Sequence, residues 1–323
     1  NTAYASNGIT GLGNETLTLS DAAITTGDLM MLEALTTGSV IASSVASITG
    51  SLSSLTDAYT SPGIASLGTT IHVTDVIISS DHLNTLNYIT SGTINTSANT
   101  TLTGSLPSLA ATYEASTTDG NGIAGLGSEI LILSDTDVDS LTFKSVDDST
   151  DGTINAATIS NFTGSADSIN AIYAAYVAGT ITGLGNERIS ITDRSIQSDS
   201  LRTLDTNTTG VIDAGTIYTI TGSLTSTNTV YESTSITGLN DEDVVLTNTT
   251  ISNLAHLNTL DDNTTGLVNA SQVTAVSGLL SAVKTAYTKA VTAISGLGNE
   301  AITLSDTGNV AASDLTTVAS ANS

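Results

Sequence analysis

The chain is poor in several residue types, and each shortage excludes a class of protein. Its 323 residues include no cysteine, no tryptophan and two prolines, and aromatic residues make up 3% of the total. Without cysteine there can be no disulfide framework and no thiolate metal site. Apolar residues reach 39%, but they are mostly small or β-branched. A core built from such side chains must be thin, and thin cores suit stacked coils better than a globule.

Positive charge is also scarce. Six basic residues stand against 31 acidic ones, which gives a formal net charge of −25 at pH 7. Six scattered cations cannot neutralise a row of phosphates, so the composition argues against nucleic acid and anionic membrane surfaces as partners. No long apolar run predicts membrane insertion. The large negative charge suits high salt, which screens repulsion, or bound divalent cations.

An internal repeat dominates what is present. The phrase Gly-Leu-Gly-Asn-Glu, followed by an alternating segment that ends in Asp, occupies residues 11–21, 183–193 and 296–306. Degenerate copies surround Leu67, Leu126 and Leu239, so successive copies follow at intervals of 55 to 59 residues. A second phrase, of the type Ile-Thr-Gly, lies between these copies. A tyrosine follows each of its glycines by nine residues, at Tyr59, Tyr113, Tyr173, Tyr231 and Tyr287.

The two phrases are interpreted as two versions of one coil. Apolar residues at alternate positions, such as Leu17 and Leu19, predict a half-buried strand. Leucines at helical spacing behind Ser198-Asp199 predict a short helix that this pair caps. The predicted fold class is therefore an α/β solenoid of stacked coils of about 28 residues, each with a parallel β-strand segment and a short helix, and with two coils per sequence repeat.

We predict a single continuous solenoid over residues 1–323. Its repeats run roughly over 9–62, 63–121, 122–179, 180–234, 235–292 and 293–323, the last incomplete. Glycines of the closing turns at 207–210 and 263–266 are expected to have positive φ. The recurrent tyrosines are expected to pack in the core rather than to form a stacking platform for glycans. A recurrent aspartate is expected to end strands, with its side chain accepting local N–H bonds. It occurs as Asp21, Asp75, Asp135, Asp193 and Asp306.

Calcium is the one ligand that the sequence suggests. Asp205, Asn207 and Asp213 resemble the ligands of an EF-hand-like loop, since a glycine stands sixth from Asp205. Two related turns supply the further candidates Asp147, Asp151, Asp261 and Asn263. The alternative is a glycine turn with solvated acids, because the equivalent turns at 35–38 and 89–92 lack carboxylates and no glutamate closes the loop. No other cofactor is predicted.

The phrases Ile-Thr-Gly-Leu-Gly-Asn-Glu, Thr-Leu-Ser-Asp and Leu-Asp-x-Asn-Thr-Thr-Gly resemble the repeat regions of giant cell-surface and secreted proteins of bacteria, marine cyanobacteria above all. The resemblance covers nearly the whole chain. It implies an extracellular or cell-surface structural protein that forms or joins a filament, a matrix fibre or a surface layer. Self-association, head-to-tail or lateral, is the partnership expected. The resemblance carries over no catalytic residue.

Two other functions stay open. An adhesin stalk or a calcium-dependent binding array would show metal-dependent melting or would bind a glycan or another surface partner. An enzyme built on a β-solenoid would need a cluster of acids, or a basic residue, that breaks the repeat on one face. The basic residues lie in different coils, and we therefore expect no enzymatic activity.

Overall fold

The computed structural model describes residues 3–4, 8–68, 70–116, 122–290 and 292–322. The chain divides into two compact units, the first made of residues 1–159 and 175–183, the second of residues 160–174 and 184–323. In both, short parallel strands alternate with helices of 8 to 13 residues. Each unit is an α/β solenoid, and the predicted fold class is confirmed.

The first unit begins with coils around α1 and α2. Its strands are β1 (Leu17–Thr18), β2 (Ala23–Thr25), β3 (Val40–Ile41), β4 (Ser47–Gly50), β5 (Ile64–Ala65), β6 (Thr70–Val73), β7 (Ile77–Ser79), β8 (Thr93–Asn95), β9 (Thr101–Gly104), β10 (Ile123–Ala124), β11 (Ile130–Leu133), β12 (Asp137–Asp139), β13 (Ile154–Asn155) and β15 (Ile181–Thr182). Its helices are α1 (Thr26–Glu33), α2 (Leu52–Thr60), α3 (Ser80–Ile89), α4 (Leu106–Ser116) and α5 (Ser140–Asp147).

The second unit repeats the same order. Its strands are β14 (Asn161–Gly164), β16 (Arg188–Ile191), β17 (Ser195–Gln197), β18 (Ile212–Asp213), β19 (Thr219–Gly222), β20 (Ile236–Thr237), β21 (Asp243–Leu246), β22 (Thr250–Ile251), β23 (Val268–Asn269), β24 (Ala275–Gly278), β25 (Ile294–Ser295) and β26 (Ala301–Leu304). Its helices are α7 (Ser198–Asn207), α8 (Leu224–Glu232), α9 (Leu254–Asn263), α10 (Leu280–Lys289) and α11 (Ala312–Ala321), together with most of α6 (Ala166–Ala178).

Two kinds of coil alternate, and they match the two sequence phrases. A short coil, such as β3, β4 and α2, has two strands and a helix. A long coil, such as β5, β6, β7 and α3, has up to three strands and carries the Gly-Leu-Gly-type loop, called here the GLG loop, between its first two strands. Short coils contain the even-numbered helices and long coils the odd-numbered ones.

The extra strand of each long coil shifts the strand register. Residue Ile71 of β6 pairs with Ile48 in the second strand of the preceding short coil and with Ile94 in the first strand of the following one. The third strand, β7, then pairs with β9. The sheets therefore slant across the coils and reach five strands, as in the orders β10-β8-β6-β4-β2 and β17-β19-β21-β23-β25.

The core is a stack of inward side chains from equivalent positions. Ile48, Ile71 and Ile94 are fully buried register partners, and Ile220, Val244 and Val268 repeat this stack in the second unit. Burying each such side chain stabilises the fold by about 1.5–3 kcal/mol. The core position predicted for the tyrosines is confirmed for those that are buried, namely Tyr113, Tyr173 and Tyr287.

Helix α7 is not capped as predicted. Helix α7 begins at Ser198, and its N-cap residue is Gln197, which makes no side-chain cap bond. Asp199 lies inside the first turn, where a carboxylate suits the positive end of the helix dipole. Ser198 is fully buried instead, beside Gly222 of the following short coil, because the tertiary packing fixes where the helix starts.

Candidate functional site

The most regular polar feature of the fold is a buried carboxylate in the GLG loop. Glu187 is fully buried and accepts two kinds of bond. The backbone N–H of Gly185 donates to both of its carboxylate oxygens at 2.9 Å, and the Tyr173 hydroxyl donates to Oε2 at 2.6 Å. Since Tyr173 belongs to the preceding short coil, the carboxylate joins two coils. We call this arrangement the tyrosine–glutamate clasp.

The clasp recurs along both units. Each copy joins a tyrosine hydroxyl to a GLG-loop glutamate two residues after a backbone N–H donor, in the pairs Tyr4–Glu15, Tyr113–Glu129, Tyr231–Glu242 and Tyr287–Glu300, at 2.6 to 3.1 Å. The copy at Tyr59 differs, because Thr70 stands where the other loops have glutamate. There the tyrosine hydroxyl donates to the backbone carbonyl of Gly68 at 2.7 Å.

The closing turn of the long coil docks on the same glutamate. The Thr208 hydroxyl donates to the Glu187 carbonyl at 3.0 Å, and Thr209 N–H donates to the Gly185 carbonyl at 2.9 Å. A Cβ at Gly210 would lie 2.1 Å from the Glu187 carbonyl oxygen. The predicted positive φ is wrong for Gly210 and Gly266, which lie outside the left-handed region. Glycine is needed there for close approach, whereas positive φ occurs in the GLG loops, as at Gly185 (138°).

Burial sets the electrostatics of the clasp. Desolvation is the largest cause that raises the pKa of Tyr173 above its usual range, and the bond to Glu187 adds to it. Desolvation also raises the pKa of Tyr113, Tyr231 and Tyr287. The hydroxyls therefore remain protonated donors at physiological pH. The Tyr4–Glu15 copy is partly exposed, and there the bond from the Gly13 backbone N–H is the main cause that lowers the pKa of Glu15.

The recurrent aspartates also join coils. Asp193 follows strand β16 as predicted, but its carboxylate accepts the N–H of Ala166, the first residue of helix α6, at 2.8 Å. The prediction of local N–H bonds is wrong, because the acceptor reaches the helix of the preceding short coil. The same bond caps the other short-coil helices, through Asp75 to Leu52, Asp135 to Leu106, Asn248 to Leu224 and Asp306 to Leu280. A carboxylate at a helix N-terminus is favoured by the helix dipole.

The first calcium candidates make other bonds. Asp205 accepts the Ser233 hydroxyl at 3.0 Å and also binds Ser235. Asn207 donates to the Asn170 side chain at 3.2 Å. Asp213 accepts Arg188 at 2.7 Å and the N–H of Gly215 at 3.3 Å.

The other candidates lie in two further turns. Asp261 is buried against Lys289 at 2.7 Å, and Asn263 is exposed in the same turn. Desolvation is the largest cause that raises the pKa of Asp147, and Asp151 is exposed beyond it. Among the described residues, no group of three or more His, Asp or Glu side chains is placed to hold one metal ion. Calcium binding at these turns stays a prediction.

The basic side chains are all engaged within the chain. Arg202 lies 3.3 Å from Asp199, Lys284 lies 2.6 Å from Asp314, and Lys144 pairs with Asp148. Together with Arg188 and Lys289 above, these pairs account for five of the six cations. The sixth, Arg194, lies 5.4 Å from the centre of the Tyr218 ring. The excess of acidic side chains therefore makes the surface charge negative.

Sequence reasoning treated the GLG-loop glutamate as part of a phrase and missed its role. The signal was present, since five of the six copies of the loop have this acid and a tyrosine precedes each by 11 to 16 residues. A polar residue that recurs beside a predicted core tyrosine is a candidate partner for its hydroxyl.

No protein-family model matches this chain, and no curated protein matches it in sequence. In the described parts of the structure, no helix has the length and apolar character that crossing a membrane requires.

Proposed function

We propose that the chain is a non-catalytic structural repeat protein that forms, or contributes to, an extracellular filament, matrix fibre or surface layer at the cell surface. What supports this most is how its recurrent polar groups are used. A glutamate returns in five of the six GLG loops, and a tyrosine and an Asp or Asn return with them; their side chains bond one coil to the next. A chain that uses its recurrent side chains to stack one coil on the next is suited to a structural role.

Self-association is part of the proposal. The groups that join neighbouring coils are the same in successive repeats, so coils of different copies present complementary donors and acceptors. Parallel strands can add to a sheet edge through their backbone groups. The surface charge opposes this, since the net charge is −25. Assembly is therefore expected to strengthen with ionic strength, because the Debye length falls to about 3 Å at 1 M salt.

Electron microscopy of the purified chain tests the proposal. Samples at low and high salt, with calcium and with a chelator, are compared at equal protein concentration. Regular fibres or sheets that grow with salt would support the structural role. Single particles under all conditions would refute self-assembly and would leave an adhesin stalk or calcium-dependent binding array as the better account.

Matched variants separate specific calcium binding from general charge screening. Asp205→Asn and Asp213→Asn each remove a carboxylate from a candidate turn. Asp57→Asn removes one from the exposed face of helix α2, outside these turns. If calcium binds at the turn of Asp205 and Asp213, the first two variants weaken the calcium effect and the third keeps it. Equal behaviour of all three would point to screening and would remove this turn as a site.

A further inference from the structure

The solenoid contains two kinds of junction between coils, and they are not equivalent. A clasped junction leads from a short coil to the following long coil and contains the tyrosine–glutamate clasp. A plain junction leads from a long coil to the following short coil. Both bury apolar side chains, as Ile71 shows, since it pairs with Ile48 across a clasped junction and with Ile94 across a plain one. Polar bonds distinguish the two.

A clasped junction with both groups has two bonds to carboxylates, of which the glutamate is buried and the aspartate is partly buried. Between the coils of α4 and α5, the Tyr113 hydroxyl donates to Glu129, of which 2% is exposed. The N–H of Leu106 donates to Asp135 at 2.6 Å. The strands at these junctions form four-residue ladders, in the pairs β4–β6, β9–β11, β14–β16, β19–β21 and β24–β26.

A plain junction also has bonds to carboxylates, but these acceptors lie nearer to water. Ser226 donates to Asp199, of which 71% of the side chain is exposed, and Ser233 donates to the partly buried Asp205. Thr26 and Ser54 share a bond between neutral hydroxyls at 2.7 Å, and Ser80 with Ser108 repeats it. The pair Arg188–Asp213 lies in solvent, with about half of each side chain exposed (54% and 44%). Two ladders cross a junction of either kind, as β8–β10 and β9–β11 do at a clasped one and β6–β8 and β7–β9 at a plain one, so the number of paired residues does not separate the two kinds.

The difference in polar bonding decides which junction parts first. Bonds with an ionised partner are roughly twice as strong as neutral ones, and burial protects them from competition by water. Exposed ion pairs contribute little. Since both kinds of junction bury comparable apolar side chains, the plain junction of a coil is expected to open before its clasped junction.

We infer that the solenoid opens and refolds in two-coil modules, each a short coil with the long coil that follows it. In the second unit these modules run from β18 to α9 and from β23 to α11. In the first unit they run from β3 to α3 and from β8 to α5. The sequence repeats pair the coils the other way, each long coil with the next short one. The inference concerns how coils part and does not depend on the proposed filament.

Three junctions depart from the pattern. The clasped junction between the coils of α8 and α9 has the neutral amide of Asn248 where the others have aspartate, so only its tyrosine–glutamate bond ends on a carboxylate. The clasped junction at Tyr59 has no glutamate, so its module is the weakest internally. The plain junction before α10 contains Lys289 bonded to Asp261, of which 6% of the side chain is exposed. That junction is therefore the plain junction expected to open last.

Single-molecule pulling on the whole chain measures module size directly. Short-coil helices begin 54 to 60 residues apart, so releasing one module lengthens the chain by about 18–21 nm at roughly 3.4 Å per residue. A single coil would give about half of that. Steps of 18–21 nm are expected. Steps of about 9–10 nm, or one step for a whole unit, would overturn the inference.

A variant and its control locate the effect. Tyr231→Phe removes the clasp between the coils of α8 and α9, and one long step is expected to split into two short ones. Ser233→Ala removes a bond to Asp205 at a plain junction and should leave the step sizes unchanged. Splitting by both variants, or by the control alone, would contradict the assignment of the two junctions.

Hydrogen exchange on the unmodified chain keeps the inference testable if the variant does not fold. Amides of β18 to α9 are expected to exchange with one common opening equilibrium, distinct from that of β23 to α11. Common exchange of a long coil with the short coil after it would overturn the module boundaries.

Discussion

Removing one hydroxyl group tests whether the clasp stabilises the fold as the geometry indicates. Tyr113 is 4% exposed, and its hydroxyl donates to the Glu129 carboxylate at 3.1 Å. Tyr113→Phe keeps the ring in the core and deletes this donor. The carboxylate then keeps its bonds to the Gly127 N–H, at 2.9 and 3.1 Å, but loses its partner in the preceding coil.

The expected cost follows from the charge of the acceptor. A hydrogen bond to a charged group contributes about 1.5–3 kcal/mol, and a neutral one about 0.5–1.5 kcal/mol. Tyr59→Phe is the matched control, because its hydroxyl donates to the neutral carbonyl of Gly68. Tyr88→Phe is the exposed control, since 90% of Tyr88 is exposed and such substitutions change stability by about 0.5 kcal/mol or less.

All three tyrosines lie in the first unit, so the variants can be compared directly. Urea unfolding followed by circular dichroism gives the loss of stability, and hydrogen exchange at the Gly127 amide gives the local effect. A cost of 1.5–3 kcal/mol corresponds to about 10- to 150-fold faster exchange. If Tyr113→Phe costs no more than Tyr59→Phe, the buried carboxylate is not what strengthens this junction, and the reasoning fails.

Three further predictions concern backbone approach, a buried amide and pH. Gly210→Ala should cost about 1–3 kcal/mol in urea unfolding, because its Cβ would lie 2.1 Å from a carbonyl oxygen, whereas Gly308→Ala, with no atom within 4 Å, should cost little. Asn99→Val should raise the free energy of unfolding by about 1 kcal/mol, because the buried Asn99 Oδ1 has no partner and the equivalent positions in other short coils are Val or Ile, and this gain is expected to exceed the loss of the Nδ2 bond to the Asp75 carbonyl. An unchanged or lower free energy of unfolding would contradict this. Tyr113, Tyr173, Tyr231 and Tyr287 are four of the five clasp tyrosines, and their raised pKa values contribute stability that is present below pH 10.0, the ordinary value, and is lost as pH rises through the folded-state values. The urea midpoint should therefore fall above pH 10, and the fall should be smaller in Tyr113→Phe; an equal fall would argue against these tyrosines as its cause.

Local patterns were sufficient for the elements of the fold. Alternation at Ile189 and Ile191 predicts strand β16, and both side chains are buried. The spacing of Leu201 and Leu204 predicts the buried face of helix α7. These predictions succeed because period two and period 3.6 record which side of an element meets a core. The calcium turns could not be decided in the same way, since Asp205 and Asp213 find side-chain partners that are 25 to 30 residues away.

The sequence by itself therefore determined the solenoid, its repeat length and the inward face of each coil, because these depend on spacing within one coil. The tertiary structure alone decided what the polar residues do. Stacking brings Tyr173 of one coil to Glu187 of the next and places Asp193 at the start of helix α6. It also decided that Gly210 is needed for close approach to a carbonyl rather than for positive φ. The physical reason is that a hydrogen bond between coils depends on which residues stacking brings together, and no period within a single coil records that choice.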